Sequence, residues 1–80
     1  MDVKIDPSGM FTARTDVFEG GKHAVATEAA PISGAQVLAR LATAPAGAEI
    51  QQSNGGREVG MVAVPQDGVA LMWTFRAVAG

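Results

Sequence analysis

The chain contains no cysteine, and this absence excludes several kinds of chemistry at once. Without cysteine there is no disulfide, no thiolate metal ligand and no thiol nucleophile, a composition that fits a cytoplasmic protein. Charged residues are also few, at 18% of the chain. The net charge of −2 lacks the basic excess that nucleic-acid binding requires.

Long apolar runs are absent as well, so the sequence predicts neither a membrane-spanning helix nor a signal peptide. Hydrophobic residues nevertheless make up 48% of the 80 residues. That share is enough for one small folded domain and too high for a disordered chain. We therefore expect a cytoplasmic domain that contacts neither a membrane nor nucleic acid.

The clearest local pattern in the chain is a helix within residues 31–43. Ser33 and Gln36 have the spacing of a capping box, in which each side chain bonds the backbone N–H of the other. Ile32 and Val37 have the spacing of a hydrophobic staple. Apolar side chains then recur on one face at helical period; they are Val37, Leu38, Leu41 and Ala42.

A β-hairpin is predicted before this helix. Residues 10–18 alternate between apolar and polar side chains, and residues 23–27 form a returning strand. Residues 19–22 contain paired glycines that suit a tight turn. Residues 28–31 are expected to lead into the helix, and residues 1–9 to form either a short edge strand or a loose extension.

Two or three further strands are predicted after the helix, within residues 48–52, 57–64 and 69–78. Turn sequences rich in glycine separate them. The second strand is expected to be half irregular, because Gly60 weakens it. The last strand has the strongest apolar alternation, with Val69, Leu71, Trp73 and Phe75 on one face, which favours a position in the middle of a sheet. Leu71, Trp73 and Phe75 are expected to lie in the core.

This order resembles the β-grasp fold of ubiquitin-like proteins and small sulfur carriers. The resemblance is carried by the glycine-rich turn of the first hairpin and by residues 32–38 at the helix start. It is also carried by the last strand, which is reached through residues 66–71 and runs out into residues 76–80. The helix start is most similar to that of bacterial ubiquitin-like modifiers. The chain ends in Ala79 and Gly80, where those families commonly have two glycines.

The resemblance implies an α+β architecture: an N-terminal hairpin, one helix and a mixed four- to five-stranded sheet with its C-terminal strand central. It implies a β-grasp domain over residues 10–76, preceded by an extension over residues 1–9. Residues 77–80 are then a flexible C-terminal tail.

The resemblance also implies a function as a protein modifier rather than as an enzyme. Gly80 is then the conjugation residue, because an activating enzyme adenylates its carboxylate with ATP. The chain itself needs no cofactor. The implied partners are that activating enzyme, a conjugating enzyme, a processing peptidase and a target protein. A slim partner-binding tail completes the expected site: Arg76, Ala77, Val78 and Ala79.

Two alternatives remain open at this point. One is a sulfur carrier, in which Gly80 becomes a thiocarboxylate. The other is a non-covalent β-grasp interaction module without tail chemistry. Such a module is expected to use the open side of the sheet, where the last strand presents a possible surface patch; its residues are Ala70, Met72 and Thr74.

No residue pattern points to a catalytic or metal centre. His23 lies beside the turn of the first hairpin and has neither a cysteine nor a second histidine as a ligand partner, so we expect a solvated turn residue. The glutamates at positions 19, 28, 49 and 58 are scattered, which gives no pair for acid–base chemistry.

Overall fold

A five-stranded sheet and one helix, together an α+β architecture, make up the fold in a computed structural model that describes residues 3–78. Among these residues no helix is long and apolar enough to cross a membrane. In chain order the elements are β1 (Met10–Glu19), β2 (Lys22–Ser33), α1 (Gly34–Leu41), β3 (Glu49–Ser53), a short 3-10 turn (Asn54–Gly56), β4 (Glu58–Gln66) and β5 (Val69–Ala77).

The strands are ordered β2-β1-β5-β4-β3, so the last strand is in the middle of the sheet. Every strand pair among residues 3–78 is antiparallel, which corrects the expectation of a mixed sheet. The reason lies in the connections. Tight turns reverse the chain between β3, β4 and β5, so β3 and β5 run in the same direction. The helix returns the chain so that β3 also runs in the direction of β2, and β5 therefore opposes β1.

The hydrophobic core lies between one face of the sheet and the helix. Of the predicted apolar stripe, Val37 and Leu41 are buried in this core, whereas Leu38 is half-buried and Ala42 is exposed. Within this core the aromatic rings of Trp73 and Phe75 pack edge to face, with their centroids 6.4 Å apart. The core members contributed by the sheet are Phe11, Ala13, Val59, Met61, Ala63, Trp73 and Phe75.

Helix α1 begins with the predicted capping box. The backbone N–H of Gln36 donates to Ser33 Oγ at 3.2 Å, and the backbone N–H of Ser33 donates to Gln36 Oε1 at 2.9 Å. These two bonds satisfy donors that a helix start otherwise leaves unpaired. The helix ends at Leu41, two residues before the end of the predicted segment.

Strand β2 is longer than expected, and β4 is more continuous than expected. Residues 28–31 belong to β2, because its pairing with β1 continues as far as Met10 opposite Ser33. A register shift between Phe11 and Ala13 accommodates Pro31 on this edge strand. Strand β4 is continuous past Gly60, since β3 and β5 pair with it on both sides.

The N-terminal extension is neither a strand nor a loose tail over residues 3–9. It packs across the helix start, where Gly34 N–H donates to the Gly9 carbonyl at 2.8 Å. Ala35 N–H donates to the Pro7 carbonyl at 3.1 Å. Val3 and Ile5 are partly buried against the core, so the extension forms part of the packed domain.

The first residue of the expected C-terminal tail belongs to the sheet. Ala77 is the last residue of β5 and pairs with Phe11. The backbone N–H of Val78 donates to the Met10 carbonyl at 2.9 Å. The sheet therefore includes residue 77, while Ala79 and Gly80 lie outside the described residues.

Candidate functional site

The face of the sheet opposite the helix, here called the open face, carries a concavity of about 450 Å³. Antiparallel sheets can leave one face to solvent in this way. Strands β1 and β5 supply most of the lining, with β2 along one side. The lining residues are Thr12, Arg14, Asp16, Phe18, His23, Glu28, Met72, Thr74 and Arg76.

Asp16 is the one buried charged residue on the described part of the chain, with 4% of its surface exposed. Its Oδ1 accepts a hydrogen bond from His23 Nε2 at 2.8 Å. The Nε–H of Arg14 donates to both Asp16 oxygens, at 3.2 and 3.1 Å. Both carboxylate oxygens of Asp16 thus accept hydrogen bonds from side-chain donors, as a buried carboxylate requires.

These contacts set the protonation of the carboxyl. Burial alone would raise the pKa of Asp16, because it penalises the charged form. The hydrogen bonds from His23 and Arg14, with their charges, outweigh that effect and hold the pKa of Asp16 below its ordinary value. Asp16 is therefore an ionised acceptor at neutral pH.

The hairpin turn explains how Asp16 and His23 meet. Gly20 and Gly21 both have positive φ, 57° and 79°, as a two-residue hairpin turn requires. The turn places His23 opposite Phe18, and the centroids of their two rings are 5.1 Å apart. Phe18 and Asp16 share a face of β1, so His23 reaches Asp16 diagonally across the hairpin.

Two looser ion pairs border the concavity. Arg14 Nη1 lies 3.7 Å from Glu28 Oε1, and Arg76 Nε lies 3.5 Å from Glu58 Oε1. Both distances exceed those of a good hydrogen bond. The side chains of Glu28 and Arg76 are 75% and 69% exposed, so solvent screens these pairs.

The structure brings some of the predicted site residues together and separates others. Met72, Thr74 and Arg76 line the concavity, and Ala70 is opposite Phe18 at its end. Ala77 and Val78 instead line a second concavity of about 370 Å³, between the N-terminal extension and residues 55–57. Conjugation at Gly80 stays a prediction, because that residue lies outside the described range.

The Asp16–His23 contact was missed by the sequence-based prediction, which treated His23 as a solvated turn residue. Its ring is 44% exposed but hydrogen-bonded to a buried carboxylate. The turn sequence could have indicated this contact. Paired glycines at 20 and 21 place Phe18 opposite His23, and Asp16 is then the diagonal neighbour of His23 across the hairpin.

Within residues 3–78 no three carboxylate or imidazole side chains converge to hold a metal ion. Comparison with protein-family models, curated proteins and solved structures finds no match to this chain. The resemblance to ubiquitin-like proteins thus stays a prediction that depends on element order and short motifs.

Proposed function

We propose that the chain is a non-covalent interaction module that binds its ligand in the concavity of the open face. The single observation that carries this proposal is the buried, ionised Asp16, held by His23 and Arg14 on the face of the sheet opposite the helix. Ligand sites combine an apolar surface with a few fixed polar groups. Met72 and Phe18 supply the apolar part here.

Stability gives little reason to place a buried carboxylate at this position. Ionised groups are costly to remove from water, and replacing a buried ion cluster by apolar residues is often neutral or stabilising. An alternating antiparallel strand needs only ordinary polar residues on its solvent face. Specific recognition accounts for a cluster that is fixed in one geometry, because preorganised groups lower the entropy cost of binding.

A pair of space-filling variants tests the location of binding. Thr74→Phe adds an aromatic ring inside the concavity, opposite Arg14 and Gly60. Val64→Phe adds the same kind of ring on β4, at a side chain that is 66% exposed and outside the lining. Affinities for a panel of small polar fragments are measured by ligand-observed NMR.

We expect Thr74→Phe to abolish binding of those fragments that bind the unaltered chain. Val64→Phe should leave the affinity for the same fragments unchanged. Equal loss in both variants would place binding elsewhere and contradict the proposal. Thermal unfolding of both variants controls for loss of the fold.

The second candidate is the ubiquitin-like modifier, with a β-grasp fold and with Gly80 as the conjugated residue. What favours it is the order hairpin, helix and three strands, with β5 central and ending three residues before Gly80. The antiparallel β1–β5 pair departs from the mixed sheet implied by the resemblance. The chain would then act with an activating enzyme, a conjugating enzyme, a peptidase and a target.

Intact mass of N-terminally tagged protein from its native host, purified under denaturing conditions, tests this candidate. Adducts that disappear when Gly80 is deleted support the modifier, and a species with one oxygen replaced by sulfur supports the sulfur carrier. Recovery of the unmodified chain alone, with the neighbouring genes expressed, counts against both.

A further inference from the structure

Four side chains that carry hydrogen-bond donors form a square on the open face, at the end of the concavity away from the hairpin turn. Thr12 is directly opposite Arg76, and Arg14 is directly opposite Thr74, in the pairing of β1 with β5. All four side chains line the concavity. Directly opposite residues have Cβ atoms about 5 Å apart and diagonal neighbours are about 7–8 Å apart, so the two arginines and two threonines all face one small area.

The donor capacity of the two arginines is only partly used. A guanidinium has five N–H groups, and Arg14 commits its Nε–H to Asp16. The remaining contacts of both arginines with carboxylates are the loose pairs at 3.7 and 3.5 Å, to Glu28 and Glu58. Such exposed pairs are weak, so a better acceptor can replace them at small cost.

We propose that this square binds an anionic oxygen group, a phosphate or a carboxylate, carried by the ligand of the module; the proposal rests on the function proposed above. Arginine recognises these groups because its planar fork donates two parallel bonds. The Thr74 hydroxyl adds a donor between the arginines. The Thr12 hydroxyl donates to the Arg76 carbonyl in a long bond of 3.4 Å, which it can exchange for a bond to the anion.

The negative groups that face the square leave room for such an anion. Asp16 is ionised, but its oxygens already accept hydrogen bonds from His23 and Arg14. The Glu28 side chain is 75% exposed, so it can turn toward solvent when an anion takes its place beside Arg14. Glu58 lies opposite Arg76 and pairs with it at 3.5 Å, so it also competes with the anion. Glu28 is therefore an internal competitor of the ligand, and its removal is expected to tighten anion binding.

Titration of ¹⁵N-labelled protein with inorganic phosphate, and separately with acetate, tests the proposal at constant ionic strength. We expect saturable shifts at the amides of Thr12, Arg14, Thr74 and Arg76 with at least one of the two anions. Arg76→Gln should weaken that binding about three- to tenfold. Glu28→Gln should tighten it about two- to fivefold.

Arg57→Gln is the matched control, because it removes the same charge at an exposed residue outside this concavity. Equal weakening by Arg57→Gln and Arg76→Gln would reveal a net-charge effect and overturn the proposal, as would the absence of saturable shifts with both anions. Uncharged fragments that bind in the concavity while both anions fail would refute the anion square but leave the interaction module intact. Preference for phosphate over acetate, or the reverse, identifies which of the two groups the ligand carries.

Discussion

Replacing Gly34 by alanine tests whether the N-terminal extension is part of the packed domain. Gly34 is the first residue of α1 and is buried. A Cβ at this position would collide with the backbone carbonyl of Asp6 and would come within 2.9 Å of Ile5 Cγ2. The alanine therefore forces residues 5–6 to move.

Two opposing effects set the size of the change. Alanine is better than glycine inside a helix by up to about 1 kcal/mol. Overpacking of a well-filled site costs about 1–3 kcal/mol. Release of the extension instead would sacrifice the bonds from Gly34 to Gly9 and from Ala35 to Pro7, each worth about 0.5–1.5 kcal/mol. We expect a net loss of about 1–2 kcal/mol.

Urea unfolding followed by the fluorescence of Trp73, the single tryptophan, measures this loss. The matched control is Ala39→Gly, at an exposed position of the same helix. Helix propensity alone predicts opposite signs for the two substitutions, whereas contact with Asp6 predicts that both destabilise. An increase in the free energy of unfolding for Gly34→Ala would refute the packing of the extension.

Three further predictions concern the cap, the buried carboxylate and the core. Ser33→Ala removes a capping-box acceptor and should lower the free energy of unfolding by about 1 kcal/mol in the same assay. The lowered pKa of Asp16 means that its contacts stabilise the fold above the ordinary carboxyl pKa of about 3.9. That contribution is lost as pH falls through the lower native pKa. The free energy of unfolding of Asp16→Asn should therefore decrease less steeply on acidification than that of the unaltered chain. Arg40 Cζ lies 4.8 Å from the centre of a Trp73 ring, and Arg40→Met should cost about 0.5–1 kcal/mol and shift the tryptophan emission.

Different outcomes would contradict these three predictions. An unchanged free energy of unfolding for Ser33→Ala would mean that the cap bonds add nothing to stability. An acid limb as steep in Asp16→Asn as in the unaltered chain would assign the pH dependence to other carboxyls. Unchanged emission and stability in Arg40→Met would show that the contact with the ring is energetically neutral.

Local patterns were sufficient to predict the helix and most of the strands. The capping box depends on residues three positions apart, so Ser33 and Gln36 carry the information themselves. Strand β5 alternates strongly, and its faces follow from that period: Phe75 is buried and Arg76 is exposed. Such features need no knowledge of distant contacts.

Features imposed by neighbours were not predictable in the same way. Residues 28–31 are poor strand formers and become part of β2 only because β1 pairs with them. Strand direction in the sheet depends on how the helix returns the chain, which a list of elements does not specify. The packing of Val3 and Ile5 likewise depends on a close approach at Gly34 that no local pattern reveals.

The candidate site was predictable in part. The open side of β5 was expected as a surface patch, and Met72 and Thr74 do line the concavity. The sequence-based prediction overlooked β1, although its polar face, with Arg14 and Asp16, follows from simple alternation. What alternation cannot show is that Asp16 becomes buried on a solvent-facing side, since that depends on the side chains that surround it.

Ligand binding in the concavity of the open face is tested most directly by a map of ligand-induced shifts in the ¹⁵N spectrum of the unaltered chain, recorded with the same panel of small polar fragments. We expect these shifts to concentrate on the open-face residues of β1 and β5, including Asp16, Met72 and Thr74. Shifts confined to α1 and the N-terminal extension, or no saturable shift at any open-face residue, would contradict it.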